Sequence, residues 1–347
     1  MGNYFLLLSG EHATLPYAEV MGALEALGIH YEVLEVLPQV MRIKTEEDPC
    51  TLLAKRCSML HFCCKEWLVC EPELKTITEN LKSLDLSELR GRSIAVRVRR
   101  VGNRRIDDLA SPQLERILGE IIVRREGVKV NLTNPKVKLV GVITDKFLFG
   151  PLIAEGNRGG YENRRARKKP FFHPSSFDPR LARALVNIAR VKEGELVVDP
   201  FFGTGSILIE AGLVGANLLG IDIDKRMVRG GLRNLKYYEV QVIGTVRADA
   251  FNIPLRAKSA DKLITDPPYG RTSSTHGRNP NEIFSRLPSL VRYLLKDKGC
   301  AVVVIPVSLI DRTFKLPKDL KVAERHRVKI HSGLIREIIM VRKEPWR

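Results

Sequence analysis

Leu196-Val197-Val198-Asp199-Pro200-Phe201-Phe202-Gly203-Thr204-Gly205 is the stretch on which the reading of the fold turns. Three apolar residues, two of them β-branched, suit a short strand buried on both faces. The acid and proline end it. Two glycines then let the backbone approach a ligand closely, ahead of a helix carrying Ile207, Leu208, Ala211 and Leu213. The unit recurs downstream. Strands over 218–221, 244–248 and 262–265 run into Asp222, Asp249 and Asp266, with helices over 226–237 and 282–295 between and after them. A strand over 301–305 and two terminal strands near 321–328 and 335–342 complete the set. Strands alternating with helices predict an α/β, doubly wound, seven-stranded sheet with mainly parallel strands. In such sheets ligands bind beyond the carboxyl ends of the strands, which is where the four acids fall.

The strand ends differ in chemistry. In Asp266-Pro267-Pro268-Tyr269 each proline fixes φ and removes an N–H, leaving a rigid loop of carbonyls. An ionised Asp266 offers only acceptors, and Tyr269 offers a ring face. A flat base with an exocyclic amine fits such a pocket; the alternative is a plain turn closing a strand. Asp222 stands at the second strand end, where an acid binds ribose hydroxyls in dinucleotide folds, with Ile223 beside it. A dinucleotide site would want G-x-G-x-x-G and no loop like 266–269. The Asp199-Pro200 entry and the Phe201-Phe202 pair suit S-adenosylmethionine instead, with Asp249 and Ala250 meeting its adenine.

Composition bounds the partners. The chain has 347 residues, room for two or three domains, and a formal charge of +17 from 57 basic and 40 acidic residues. That imbalance points to a polyanion, most simply nucleic acid, although a Lys- and Arg-rich thermophile shares the feature. No apolar run reaches membrane-spanning length, and the apolar start at 5–8 is too short for a signal segment, so no membrane contact and a cytoplasmic location are expected. Arg97, Arg99, Arg100, Arg104 and Arg105 cluster on a strand and its turn, and Arg164, Arg165, Arg167, Lys168 and Lys169 fall in a glycine-containing stretch at 156–170. Both clusters read as phosphate contacts; a solvated face and a flexible tether are the plain alternatives. Five of the six cysteines (Cys50, Cys57, Cys63, Cys64 and Cys70) crowd one stretch. The intervening Leu52, Leu53, Met59, Leu60, Phe62 and Trp67 suggest a buried helix, with the thiols as core, a disulfide pair or, against the spacing rules for zinc, a metal site.

Four segments follow: a small α/β unit over 1–50, a second over 51–155, a basic linker over 156–170, and the strand–helix repeat over 171–347. In the second, a strand over 94–100 precedes a helix from Ser111-Pro112 to Glu126, and strands over 137–143 and 146–149 follow.

These residues carry a resemblance. Asp199 to Gly205 and Asp266-Pro267-Pro268-Tyr269 resemble the cofactor loop and the D/N-P-P-Y motif of Rossmann-fold, S-adenosylmethionine-dependent amino-group methyltransferases. His173-Pro174-Ser175-Ser176-Phe177, leading into a helix over 179–189, is similar to the segment that packs beside the cofactor, with Phe177 where many relatives have Leu. The N-terminal half resembles a THUMP RNA-binding domain preceded by a ferredoxin-like unit. Across nearly the whole chain the arrangement is similar to archaeal tRNA guanine-N2 methyltransferases acting on guanosine 10. The resemblance implies cofactor contacts from His173, Ser176, Asp199, Pro200, Phe201, Gly203, Thr204, Gly205, Asp222, Ile223, Asp249, Ala250 and Asp266. It implies catalysis by Asp266, Pro267, Pro268 and Tyr269 and mono- or dimethylation of a base flipped out of its stem. No metal is expected, and Arg271 after the motif is a candidate contact for a phosphate near the flipped nucleotide, a plain surface arginine being the alternative. A monomer is expected, with a small activator subunit as some related enzymes use left open. Other tRNA or ribosomal guanines, a DNA adenine substrate, and a non-catalytic RNA-binding protein remain the alternatives.

Overall fold

The computed structural model describes residues 1–102, 106, 109–270, 277–331 and 333–344. The chain forms two compact units. Met1–Glu11, Gly28–Lys55 and Met59–Gly156 make the first; His12–Leu27, Arg56–Ser58 and Asn157–Arg347 make the second.

In chain order the N-terminal half contains β1 (Gly2–Leu8), α1 (Leu15–Leu27), β2 (Tyr31–Leu37), β3 (Val40–Thr45), α2 (Cys50–Arg56), β4 (Leu60–Lys65), β5 (Leu68–Cys70), α3 (Leu74–Ser83), β6 (Ser93–Arg100), α4 (Ser111–Glu126), β7 (Lys129–Val130), β8 (Val137–Ile143) and β9 (Phe147–Glu155). Among the described residues the strands pair in the order β2-β3-β1-β4-β9-β8-β6-β7, with β5 set against β9. One layer of the core joins Ile94, Val96 and Val98 of β6 to Leu114, Leu118 and Ile122 of α4. Those helical residues recur every four positions, and the helix ends at Gly127 with φ +66°. A left-handed residue there closes the last turn, and glycine adopts it without a Cβ clash.

The run 52–67 is not one buried helix: α2 stops at Arg56, and Leu60–Lys65 is a strand paired with both β1 and β9. Successive residues of that strand, Phe62, Cys63 and Cys64, are all buried, so both of its faces are covered and its apolar residues lack an alternating pattern. Strand β3 was not expected either, because Arg42 and Lys44 interrupt its apolar residues; pairing with β1 and β2 forms it. Of the clustered cysteines, Cys50 and Cys63 are joined as a disulfide, while Cys57, Cys64 and Cys70 are free.

The second half runs α5 (Arg158–Glu162), α6 (Pro179–Ile188), β10 (Leu196–Asp199), α7 (Ser206–Gly212), β11 (Asn217–Asp222), α8 (Lys225–Tyr237), β12 (Gly244–Arg247), β13 (Ala260–Thr265), α9 (Pro280–Leu294), β14 (Leu295–Pro306), α10 (Val307–Thr313), β15 (Leu320–His331) and β16 (Leu334–Lys343). Its seven strands are ordered β12-β11-β10-β13-β14-β16-β15, the doubly wound, mainly parallel sheet that the strand–helix alternation predicts. Only β16 runs against its neighbours, pairing antiparallel with β14 and β15. The central strands are apolar throughout because helices cover both faces: Val198, Ile221, Leu263, Val303 and Ile339 pack with Phe284, Leu287 and Leu294 of α9. Caps set the helix starts, with Asp178 accepting from the Arg180 and Leu181 amides and Asp224 from the Arg226 amide.

The basic stretch 156–170 is pinned rather than free. Tyr161 is buried, Arg164 binds Glu210 at 2.6 Å and stacks on Tyr161, and Lys169 is buried with its Nζ on Ser206. Among the described residues no helix is long and apolar enough to cross a membrane.

The disulfide gives a direct check. Thiol titration of the unfolded, unreduced protein should count four free thiols, rising to six after reduction. Cys50→Ser should lower unfolding stability by about 2–4 kcal/mol under oxidising conditions and very little in reductant, as for a crosslink that closes a short loop.

Candidate active site

In the second sheet the strand order reverses between β10 and β13, since β11 and β12 build to one side and β14 to the other. Helices leaving opposite faces at such a point open a crevice at the carboxyl ends of the strands. Asp199 and Asp222 are the last residues of β10 and β11, Asp266 follows β13, and Asp249 lies just beyond β12. All four line one cleft of about 200 Å³.

The glycine loop is shaped by what packs under it. A Cβ on Gly231 would stand 2.3 Å from the Phe202 ring, so that ring sits where only glycine leaves room. Gly203 and Gly205 have φ of +52° and +78°, which side chains seldom adopt. The Gly203 amide donates to Asp222 Oδ2 at 2.8 Å, and the Asp224 amide to Oδ1 at 2.9 Å. Asn234 on α8 ties the preceding segment to this loop: its amide donates to the carbonyls of Thr204 and Phe171, both at 3.0 Å, and its Oδ1 accepts from the Phe171 amide. That brings His173 into the cleft wall, with Nδ1 2.7 Å from Ser175 Oγ.

The acids are held differently. Asp199 is buried, and burial pushes its carboxyl up to about 7 although the Thr265 hydroxyl (2.7 Å) and the Phe201 amide stabilise the anion; Asp222 and Asp266 add repulsion. Burial also acts on Asp249, but the Arg278 guanidinium and the Phe251 amide outweigh it and hold that carboxyl below its ordinary value. Burial raises Asp266 to about 6 against the opposing pull of Arg336. Arg336 Nη1 lies 3.1 Å from Asp266 Oδ2, and Nη2 bonds the Tyr269 hydroxyl. The guanidinium stands 5.0 Å from the Tyr269 ring centre and 5.8 Å from that of Phe177. Among the described residues Asp266 Oδ1 and Arg336 Nε are buried without a partner.

Of the residues singled out from sequence, His173, Asp199, Pro200, Phe201, Gly203, Thr204, Asp222, Ile223, Asp249, Ala250, Asp266, Pro268 and Tyr269 line the cleft. Ser176, Gly205 and Pro267 are not among the residues that line it, whereas Ser175 is. In the basic set, Arg99, Arg165, Arg167 and Lys168 are exposed. Arg97 binds its own neighbourhood (the Val96 carbonyl and, at 3.6 Å, Glu115), and Arg100 bonds the Leu109 carbonyl. Arg164 and Lys169 turn inward, as above; burial pushes Lys169 down to about 8. For these two, phosphate contact gives way to internal pairing. Arg104, Arg105 and Arg271 lie outside the described residues. The sequence reading missed Arg278 and Arg336. Arg336 carried a signal: with Glu337 it is a charged pair at the head of the apolar run 338–341.

Asp199 predicts a pH effect. Its folded-state value lies above the ordinary 3.8, so the folded form holds the proton more tightly, and the contribution to stability is present below pH 4 and lost as pH rises to 7. Relative to wild type, Asp199→Asn should therefore gain up to about 4 kcal/mol between pH 4 and pH 8, about 1.4 kcal/mol per unit. Denaturant unfolding across that range reads it, and a pH-independent difference would contradict it.

Residues 165–336 match the family model described as RMKL-like, methyltransferase domain, and residues 71–148 match the THUMP domain. The tRNA (guanine(10)-N2)-dimethyltransferase of Methanothermobacter thermautotrophicus is 33% identical over 344 residues, 97% of this chain and 98% of that one. The protein of the same name from Methanocaldococcus jannaschii is 33% identical over 366 residues, covering 97% and 99%. Among solved structures, TrmN from Thermus thermophilus superposes with a TM-score of 0.57 at 22% identity, covering 98% of this chain and 99% of that one, a likeness of fold.

Proposed function

Because the chain belongs to the family of tRNA (guanine(10)-N2)-dimethyltransferases, we propose that it methylates the exocyclic N2 of guanosine 10 in tRNA, once and then again, using S-adenosylmethionine. The observation that carries this reading is the Asp266 carboxylate, whose Oδ1 has no partner among the described residues, in one cleft with Tyr269, Asp199, Asp222 and Asp249.

An acceptor-lined, anionic cleft fits a cationic ligand with an amine, ribose hydroxyls and an adenine. Bound there, S-adenosylmethionine supplies a methyl group on an electron-poor sulfonium. Asp222 and Ile223 would hold the ribose end, Asp249 and Ala250 the adenine, and Asp199 with His173 the amino-acid end. Arg278 must release Asp249 for the adenine amine to reach it.

The guanine N2 lone pair is drawn into the ring and is a poor nucleophile, so positioning supplies most of the rate. Asp266 accepts one N2 hydrogen and the Pro267 carbonyl a second, drawing the nitrogen toward sp³, while Tyr269 stacks on the base. Aimed in this way, the lone pair would take the methyl group of bound S-adenosylmethionine, whose sulfur would keep the S–C electron pair. The surplus proton passes to Asp266, whose value near 6 lets it release that proton to water at neutral pH.

The base must leave its stem, at a cost of a few kcal/mol. Phosphate contacts offset that cost, from a basic RNA-binding module over 51–155 and from the exposed Arg165, Arg167 and Lys168. The enzyme works as a monomer.

Two experiments test this. Incubation with unmodified tRNA transcript and labelled S-adenosylmethionine should place label in N2-methyl- and N2,N2-dimethylguanosine at position 10 by nucleoside mass spectrometry. Asp266→Ala should reduce that label at least about a thousandfold while leaving tRNA affinity within about twofold. Separately, replacing Arg165, Arg167 and Lys168 by Ala should weaken tRNA binding and flatten its dependence on salt by about two to three phosphate contacts; an unchanged slope would remove these residues from the interface.

A further inference from the structure

Arg336 reaches the cleft because β16 runs backwards. In register with Pro306 at the carboxyl end of β14, it starts where the parallel strands finish. Its guanidinium is held on several sides, by Asp266 Oδ2, the Tyr269 hydroxyl and the rings of Tyr269 and Phe177, with a side chain only 14% exposed. Yet among the described residues Nε stays buried without a partner, as does Asp266 Oδ1. A buried donor and a buried acceptor left open are each costly unless a ligand satisfies them. Here they belong to the two members of one ion pair, both lining the cleft. A ligand that fills both must present a donor to Asp266 and an acceptor to Arg336. The edge of guanine does so, with donors at N2 and N1 and an acceptor at O6.

We propose that Arg336 is a specificity-determining residue that reads the target base, its Nε–H donating to guanine O6 while Asp266 takes the N2 amine. The inference rests on the guanine-N2 reading above. The purely structural alternative is that Arg336 neutralises Asp266 and touches no base. The two separate on an analogue: 2,6-diaminopurine keeps the N2 amine but sets an amine where guanine has O6 and makes N1 an acceptor, so a donor would face the Arg336 donor, while the change at N1 faces Asp266 in every variant alike.

Synthetic tRNAs carrying guanosine or 2,6-diaminopurine at the methylated position are compared by kcat/KM for the wild type, Arg336→Met and Arg336→Lys. Binding of S-adenosylmethionine is measured by calorimetry alongside. Wild type should prefer guanosine by about 100-fold or more, since a site built to bond a polar group rejects the analogue lacking it. Arg336→Met should bring that preference down by about 10- to 100-fold, the worth of one charge-assisted hydrogen bond, mainly by losing activity on guanosine. Arg336→Lys keeps the charge beside Asp266 but not the planar fork, so its preference should fall as well. An unchanged preference in a folded Met variant, or in Lys should Met not fold, overturns the inference and leaves Arg336 as a counter-charge. If the wild type places no methyl on guanine N2, the reading beneath it fails and takes this one with it.

Discussion

Four carboxylates brought together at the carboxyl ends of neighbouring parallel strands repel one another, and burial makes each anion harder to sustain. The second unit is arranged around that crowding. Backbone amides of the glycine loop and of the next helix bond Asp222, Arg278 bonds Asp249, and Arg336 bonds Asp266. Asp199, deepest of the four, has a hydroxyl and one amide, and its proton stays on until about pH 7.

This leaves a graded set of acids in one cleft rather than four equivalent ones. Asp249 is firmly ionised, while Asp266 and Asp199 change charge close to neutrality. A cationic ligand entering such a site lowers the cost of ionising the last two, so binding and proton release are coupled by the same burial that raised them.

The basic residues divide along a similar line. A charge of +17 is a property of the whole chain, but part of it is consumed inside. Arg164 and Arg183 close on Glu210, and Arg278 and Arg336 on cleft acids. Others, such as Arg99, Arg165, Arg167 and Lys168, face solvent, where a polyanion would meet them. Counting charges finds the partner class; only burial shows which charges are left for it.

The sequence by itself determined the alternation of strands and helices from 196 onward, the acids at the strand ends, and the glycine loop, because each is a local pattern: apolar runs of strand length, punctuated by Asp, Pro and Gly. It did not determine what turned on partners distant along the chain. The strand over Leu60–Lys65 and the hairpin strand Val40–Thr45 take their conformation from neighbours in a sheet, and periodicity cannot register those. Lys169 and Arg164 looked like their exposed neighbours until packing buried them. Arg336 lies 70 residues beyond Asp266, at the start of a strand rather than its end. A search along the carboxyl ends of strands passes over it, and the reversal of β16 against β14, a property of the folded sheet, is what sets the two side by side.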